Sequence, residues 1–357
     1  MKKVVHMTSV HAPNDDRIVH KECVSLSNAG YDVSLVYLGE CREIVDNRLH
    51  YVCAGAKPGG RLMRMVGGVW SVFWTALRLH ADLYHFHDPE LIPAGIVLKL
   101  FGKKVIYDVH EDVPKQILSK EWIPVRMRRC VSAIVSVAER IALRFMDGVV
   151  VVHEDLLNRI QKYHKNVVTV HNYPIYLLDS IPEKRIHEFV WLGGLGAIRG
   201  ASELNEAFHD AGILHIIGSV EDETVFTKND RIILEGSFPM REAQEKASRY
   251  FCGIVTFLPF PNHTHALPIK MFEYMSLGMA VIASDFPLWR AIIEKVRCGV
   301  LVDPQRPDDI AKAIRWLMEN PDEAANMGRR GWEAVNKKYN WMHEEKVLLD
   351  FYHEKLS

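Results

Sequence analysis

A glycine-rich loop in the second half of the chain could bind a phosphate group. Residues 192–200 read LGGLGAIRG, directly after an apolar run that ends at Trp191 and directly before a helical pattern. Glycines let backbone N–H groups approach an anion, and the N-terminus of the following helix adds a favourable dipole. Because Arg199 stands where a dinucleotide fingerprint has its third glycine, the loop alone fits a ligand-free strand-to-helix turn equally well.

The carboxylate of Glu273 is a second candidate. Residues 261–285 read PNHTHALPIKMFEYMSLGMAVIASD, which predicts a polar loop, a short helix from about Lys270, a stop at Gly278 and a strand. Glu273 would then lie in the first turn of the helix and could accept hydrogen bonds from vicinal hydroxyls of a ligand. A ribose bound by Glu273 and a diphosphate bound by the glycine-rich loop would together be parts of a nucleotide. Taken alone, the spacing of Glu273 is better explained by stabilisation of a helix start.

The elements that would position these residues alternate in the manner of parallel sheets covered by helices. In the first half, strands are predicted at residues 3–7, 32–37, 83–85, 104–107, 148–152 and 167–170, and helices at 18–29 and 133–145. In the second half, strands are predicted at residues 188–191, 213–217, 232–234, 253–256 and 280–283, and helices at 201–211, 240–248, 270–276, 308–318 and 322–339.

The fold class is therefore α/β with two Rossmann-like domains. We predict an N-terminal domain over residues 1–171, a linker over 172–187, a C-terminal domain over 188–340 and a last helix over 341–357 that could pack back on the first domain. Two such domains normally bind a ligand at the carboxyl ends of their strands, in the cleft between them. Hinge motion about the linker is expected.

Composition excludes several classes of protein. The 357 residues carry 44 Lys+Arg against 45 Asp+Glu and are 48% hydrophobic. The chain can thus bury two cores, and it lacks the strong basic excess of a dedicated nucleic-acid binder. Its longest uncharged stretches are too short to cross a bilayer, and the N-terminus does not resemble a signal peptide, so a cytoplasmic location is expected. The six cysteines form no C-x-x-C pair and are predicted to be free thiols.

Against this background, the second half resembles the family 4 retaining glycosyltransferases, which have the GT-B fold. Residues 267–275 (LPIKMFEYM), Gly278 and residues 281–284 (VIAS) are similar to the E-x7-E region of that family. The first half is similar to members that build bacterial surface polysaccharides. The matching segments there are residues 4–7, 11–18, 21–22, 29–33, 85–91 (HFHDPEL) and 107–112 (YDVHED).

The resemblance implies roles for particular residues. Glu273 matches the final glutamate of E-x7-E and would bind the nucleotide ribose, whereas the first glutamate, which contacts the donor sugar, is replaced by His265. The G-R-x4-K-G loop of the family aligns with Gly193-Gly194 and Arg199-Gly200. Arg199 would supply one cation for the diphosphate, and Gly194 lacks the other.

A lysine, a backbone amide and a histidine complete the predicted site. Lys270 could substitute for the cation missing at Gly194, although a solvated surface lysine is an equally good interpretation. The backbone amide of Leu267 would contact the diphosphate. His110 matches the histidine of the first domain that faces the reacting sugar, although a histidine after an apolar strand is usually structural or solvent-facing.

The resemblance also implies the chemistry. The protein would place a UDP- or GDP-linked sugar and its acceptor and would stabilise charge that grows on the diphosphate. The expected site contains no metal and no cofactor besides the donor, so Asp15-Asp16 and Asp308-Asp309 are interpreted as loop or helix-start carboxylates. The acceptor would be a glycan or a lipid-linked sugar. A sugar-nucleotide epimerase and a non-catalytic nucleotide-sugar-binding subunit remain alternatives, and GT-B shape alone does not choose among them.

Two segments could attach the protein to the inner face of the cell membrane. Residues 57–80 carry four basic residues and no acidic one, interleaved with apolar side chains: Lys57, Arg61, Arg64, Arg78, Leu62, Met65, Val69, Trp70, Phe73 and Trp74. Residues 122–144, which begin at Trp122, contain Arg126, Arg128 and Arg129. Basic, aromatic, amphipathic segments bind anionic membranes. The competing interpretation, that Trp70, Phe73 and Trp74 are core residues of an ordinary helix, is slightly favoured.

Overall fold

The computed structural model describes residues 1–41, 49–57, 59–60, 63–118, 123–226 and 229–357. The chain divides into two compact units. Unit 1 comprises Met1–Asn172 and Trp341–Ser357, and unit 2 comprises Tyr173–Asn340. Each unit is built around one parallel sheet with helices on both faces, so the α/β fold class predicted from the sequence is confirmed.

Unit 1 contains a sheet of seven strands in the order β3-β2-β1-β4-β5-β6-β7. The strands are β1 Lys3–Met7, β2 Asp32–Tyr37, β3 His50–Cys53, β4 Leu83–Phe86, β5 Lys104–Val109, β6 Gly148–Val151 and β7 Val167–Thr169. The helices are Asp16–Cys23, Val24–Asn28, Arg64–Gly68, Val69–Arg78, Pro89–Leu91, Ile92–Leu100, Val113–Ile117, Val125–Leu143, Glu154–Ile160 and Trp341–Leu356. The strand order reverses between the neighbouring strands β1 and β4. In sheets of this kind a ligand usually binds at the carboxyl ends of the strands beside this crossover.

Unit 2 contains a sheet of six strands in the order β10-β9-β8-β11-β12-β13. The strands are β8 Ile186–Leu192, β9 Leu214–Ile217, β10 Ile232–Gly236, β11 Tyr250–Val255, β12 Ala280–Ser284 and β13 Gly299–Val302. The helices are Ala197–Arg199, Ala201–Ala207, Glu223–Phe226, Met240–Ala247, Pro261–Thr264, Ile269–Ser276, Pro287–Val296, Pro307–Glu319 and Pro321–Lys337. The corresponding crossover lies between β8 and β11.

The two units meet in sequence at Asn172 and Tyr173. Residues 173–185 contain no strand or helix, and the Tyr173 ring packs against Phe272 and Tyr339 of unit 2, with ring centroids 4.7 and 5.5 Å apart. At the other end, the Trp341 indole N–H donates to the Ser25 hydroxyl across 2.9 Å. The last helix is therefore part of unit 1.

Several local expectations were wrong. The helix predicted at residues 18–29 is π-helical over Asp16–Cys23 and α-helical only over Val24–Asn28. Strands β3 and β13 were not predicted. β3 is short, lies at a sheet edge and is only partly buried, so it lacks the apolar pattern of a central strand.

The prediction that every cysteine is a free thiol was also wrong. Cys41 and Cys53 form a disulfide that closes the segment leading into β3. Cys23, Cys252 and Cys298 are buried free thiols, and Cys130 is an exposed one. A pair twelve residues apart has no C-x-x-C signature, so spacing alone could not reveal it.

Candidate functional site

The crossover in unit 2 brings the glycine loop to the helix that carries Glu273. The loop begins at Gly193, directly after β8, with a positive φ of 89° that favours glycine. A Cβ atom at Gly193 would lie 2.8 Å from the Lys270 ammonium nitrogen. Glycine at this position therefore lets a lysine from the helix Ile269–Ser276 reach the loop backbone.

These residues line one pocket of about 250 Å³. Its wall consists of Leu192, Gly193, Gly194, Ile217, Gly218, Ser219, Ser237, Phe238, Met240, Ala243, Lys270 and Glu273. The lining thus combines the strand-end loop, one cationic side chain, one carboxylate and the apolar side chains of Phe238 and Met240. Such a combination suits a ligand that carries an anion at one end and a flat apolar group at the other.

Glu273 is the fifth residue of its helix and not a first-turn residue as predicted. The helix begins at Ile269, directly after Pro268, and its first turn contains no acidic side chain. The Glu273 side chain is 6% exposed, and Gln244 Nε2 donates to its Oε1 across 3.2 Å. Stabilisation of a helix start therefore does not account for this buried carboxylate.

Lys270 occupies the second position of the same helix. Burial, opposed by Glu273 and reinforced by nearby Arg199, lowers the pKa of its ammonium group to about 8. A solvated surface lysine would not be desolvated in this way. A bound anion would restore the charged form and would thus be favoured by the site.

Arg199 bridges the two ends of the glycine loop. It ends the short turn Ala197–Arg199, its Nη1 donates to the Gly194 carbonyl across 2.6 Å, and its guanidinium carbon lies 5.7 Å from the centroid of the Phe257 ring. The guanidinium therefore holds the loop closed. It is not among the described residues that line the pocket.

His265 and Leu267 lie on the segment between the helices Pro261–Thr264 and Ile269–Ser276. His265 is exposed, and the Leu267 side chain is partly buried against the core of unit 2. Neither belongs to the described lining of the pocket, so the structure does not gather them with Gly193, Lys270 and Glu273.

His110 belongs to unit 1 and follows the end of β5. Its Nε2–H donates to Asp108 Oδ2 across 2.7 Å, and its side chain is 16% exposed. Asp108 also accepts from Arg17 Nε and Nη2 at 3.0 and 3.1 Å. Burial alone would raise the pKa of Asp108, but Arg17 and His110 hold it well below its usual range. The Asp108 carboxylate thus holds the His110 ring through Nε2 and leaves Nδ1 on the opposite side of the ring.

Unit 1 also contains charged and polar side chains that sequence reasoning did not select as a site. They are His6, Arg17, Glu22, His85, His87 and Tyr352, all buried at or behind the carboxyl ends of β1, β4 and β5. A signal was present, because His85 and His87 alternate along a strand that is otherwise apolar. Strand alternation alone does not show that residues so far apart in sequence meet.

Comparison with known proteins gives a consistent assignment. The family model of the glycosyl transferase 4-like domain matches residues 16–172, and that of the glycosyl transferases group 1 matches residues 198–333. D-inositol 3-phosphate glycosyltransferase from a Nocardioides species is 26% identical over 110 residues, or 31% of this chain. That match spans only 24% of the relative's own length.

Solved structures share the complete fold. Sucrose-phosphate synthase from Thermosynechococcus elongatus superposes with a TM-score of 0.78 at 16% identity, and the match covers 99% of both chains. HepE from Anabaena, in complex with UDP-glucose, superposes with a TM-score of 0.70 at 13% identity, over 99% of this chain and 100% of the other. At these identities the structural likeness shows the fold alone.

Proposed function

Because the chain belongs to the family 4 glycosyltransferases of GT-B fold, we propose that it transfers a sugar from a nucleotide-linked donor to a glycan or lipid-linked acceptor. The observation that carries this proposal is the pocket of unit 2, where Glu273 and Lys270 face the strand-end glycine loop. The donor base would be uracil or guanine. The transfer would retain the anomeric configuration of the sugar.

We propose that each group around the pocket binds a different part of the donor. Glu273, oriented by Gln244, accepts hydrogen bonds from the ribose hydroxyls, and the Phe238 end of the pocket receives the base. Lys270 and the loop amides from Gly193 onward receive the diphosphate, with Arg199 bracing the loop. The amide of Leu267, outside the described lining of the pocket, would reach the diphosphate from the segment before the helix Ile269–Ser276. These cations and amides would stabilise the leaving diphosphate by fixed dipoles and charge, so no divalent ion is needed at this position.

Thermal-shift measurements with UDP, GDP and their sugar conjugates test this function. A ligand that binds only the native state raises the melting temperature by mass action, and we expect one base to give a clear shift while the other gives a smaller one. If none of these ligands shifts the melting temperature, the proposed donor site is wrong. An epimerase would consume donor without an acceptor, and a binding subunit would never consume it.

His110 is expected to act on the sugar and not on the nucleotide. Its Nδ1, left free to accept a hydrogen bond, would contact a donor-sugar hydroxyl. The variant His110→Ala should slow transfer about 100-fold, as is typical for loss of a positioned polar group, while nucleoside diphosphate affinity changes less than about twofold. Parallel measurements of transfer rate and thermal shift check this. His20→Ala, on an exposed histidine of the same unit, is the matched control. Equal losses of transfer and nucleotide affinity would contradict the assigned role.

An exposed apolar face of unit 1 supports attachment to a membrane. On the helix Val69–Arg78, Val69, Phe73 and Ala76 are buried, whereas Trp70 and Trp74 are 39% and 53% exposed. The interpretation as core residues was therefore right for Phe73 and wrong for both tryptophans. Arg61, Leu62 and Trp122 of the predicted segments lie outside the described residues.

The exposed face continues over neighbouring helices. Further exposed apolar side chains are Met63, Val66, Leu100, Phe101, Val125, Met127, Ile134, Val137, Ile141 and Phe145. Exposed basic side chains at or near this face are Lys57, Arg78, Arg126, Arg129, Arg140 and Arg144. No helix in the described ranges is long and apolar enough to cross a membrane. We propose that this face lies on an anionic bilayer, where a lipid-linked acceptor would be found.

Flotation with liposomes tests the attachment. We expect binding to vesicles that contain anionic lipid at low salt, with weaker binding at high salt because the electrostatic part is screened. The double variant Trp70→Ser/Trp74→Ser should reduce the partition coefficient about tenfold, since buried apolar area contributes ~25 cal/mol per Å². Trp316→Ser is the control, because Trp316 is 40% exposed on unit 2. Absence of binding at low salt would remove this proposal.

A further inference from the structure

Three histidines and a glutamate converge inside unit 1, outside the residues assigned to donor transfer. His6 lies on β1, His85 on β4 and His87 directly after β4, while Glu22 lies on the π-helical segment Asp16–Cys23. β1 and β4 pair with His6 opposite His85. One nitrogen or carboxylate oxygen from each residue lies within 4.8 Å of the others, and all four residues are at most 2% exposed.

Two carboxyl groups, one in this cluster and one beside it, lie close to the same guanidinium. Glu22 and Asp108 are both buried, and the nearby cation is the single guanidinium of Arg17, 3.0 Å from Glu22 Oε1 and 3.0 Å from Asp108 Oδ2.

Imidazole nitrogens and carboxylate oxygens are common ligands of a borderline divalent metal. His6 Nδ1 and His85 Nδ1 lie 4.0 and 3.9 Å from Glu22 Oε2, and His6 Nδ1 lies 2.9 Å from His87 Nε2. His85 Nδ1 also lies 2.5 Å from the Tyr352 hydroxyl, so among the described residues Nε2 is the nitrogen of His85 without a partner. Tetrahedral ligands at about 2.0–2.1 Å from zinc would be roughly 3.3 Å apart, so the measured separations bracket the required value.

The outer nitrogens of two of these histidines have the partners that metal-bound histidines need. His87 Nδ1 lies 3.3 Å from Asp108 Oδ2, and His6 Nε2 lies 3.2 Å from the Tyr352 hydroxyl. A ligating histidine usually donates its second N–H to a carboxylate or another oxygen, which fixes the tautomer and the ring orientation. The arrangement around His87 is thus a carboxylate–histidine pair directed at the centre of the cluster.

Two groups in the cluster lack hydrogen bonds in the described part of the chain. They are the two Glu22 carboxyl oxygens, which are close to Arg17 and Asp108, and His85 Nε2. Buried polar atoms normally have good hydrogen-bond partners, so these atoms beside three imidazoles need an explanation. A cation among them would satisfy the carboxylate and would replace the proton now shared by His6 and His87.

We propose that His6, His85, His87 and Glu22 bind one divalent transition-metal ion of the zinc class as a closed, structural site. The ion would join β1, β4 and the π-helical segment and would hold Asp108, and through it His110, in place. It belongs to unit 1 and takes no part in binding the diphosphate, so the proposal stands independently of the donor pocket. It also differs from the sequence-based expectation, which included no metal.

Metal analysis of the full-length protein tests the site. Protein purified from zinc-supplemented culture, after removal of loosely bound metal, should contain about one zinc per chain. Protein prepared without metal should take up one equivalent of Co²⁺ and develop the visible absorption of a four-coordinate nitrogen and oxygen site. A cluster held together only by hydrogen bonds would give neither the zinc content nor the cobalt absorption. Zinc far below one equivalent together with no cobalt spectrum would overturn the proposal, and the wild-type protein alone decides this.

Variants then locate the ion. His87→Gln and Glu22→Gln should each reduce metal affinity at least about tenfold, whereas His209→Gln, on an exposed histidine of unit 2, should leave the stoichiometry unchanged. Circular dichroism verifies that each variant is folded. Full metal content in both folded ligand variants would place the ion elsewhere and would contradict the proposed site.

Discussion

Replacing Glu273 with glutamine is expected to weaken nucleoside diphosphate binding by about 10- to 100-fold and to leave the fold intact. Hydrogen bonds to a charged group contribute roughly 1.5–3 kcal/mol, and a neutral amide would keep the shape of the side chain while losing that charge. The partner Gln244 can rotate its amide to remain bonded to the new side chain. Isothermal titration with UDP and GDP measures the loss directly.

The matched control is Glu242→Gln. Glu242 is an exposed carboxylate on the neighbouring helix Met240–Ala247, so its substitution should change affinity by less than about twofold. Thermal unfolding without ligand should give similar melting temperatures for the wild type and both variants. If Glu273→Gln binds the preferred nucleotide as tightly as the wild type, the ribose is not bound at this carboxylate.

The second large effect concerns Lys270 and the pH dependence of donor binding. The pKa of about 8 means that Lys270 is charged below pH 8 and loses its proton as the pH rises through this value. Since the diphosphate binds the charged form, affinity for the preferred UDP- or GDP-sugar should be nearly constant up to about pH 7. It should fall about tenfold by about pH 9, because one pH unit above the pKa leaves about a tenth of the lysine charged.

Lys270→Met should abolish this alkaline loss, because the titrating group is gone, and should lower affinity at neutral pH about tenfold or more. Lys270→Arg keeps the charge but should move the decline beyond the accessible pH range. Lys295→Met, on an exposed lysine of the same unit, should behave like the wild type. Identical pH profiles for the wild type and Lys270→Met would show that Lys270 does not contact the diphosphate.

Much of the scaffold could be predicted from the sequence. Lys3–Met7 and Asp32–Tyr37 were predicted to the residue, because short β-branched runs bounded by polar turns have few alternatives. The segments around Gly193 and Glu273 were located by their glycines and by the strand that follows. Only the fold brings Gly193 to Lys270, since seventy-odd residues and three strands separate them along the chain.

The features of the sites that the sequence did not predict depend on contacts between distant segments. Because the helix begins at Ile269, Glu273 lies in its second turn and not in its first. The carboxylate therefore does not stabilise the helix start, and its burial in the pocket wall is better explained by ligand binding. His6, Glu22 and His85 look like isolated polar interruptions in apolar segments. Their meeting depends on the register of β1 with β4 and on the wider π-helical turn, neither of which a periodicity shows.

A crystal structure with the preferred nucleoside diphosphate tests the central claim most directly. We predict that a ribose hydroxyl lies within about 3.2 Å of the Glu273 carboxylate and that the diphosphate oxygens contact Lys270 Nζ and the loop that begins at Gly193. A well-ordered nucleotide bound elsewhere on the chain, with the pocket of unit 2 filled only by water, would contradict the account.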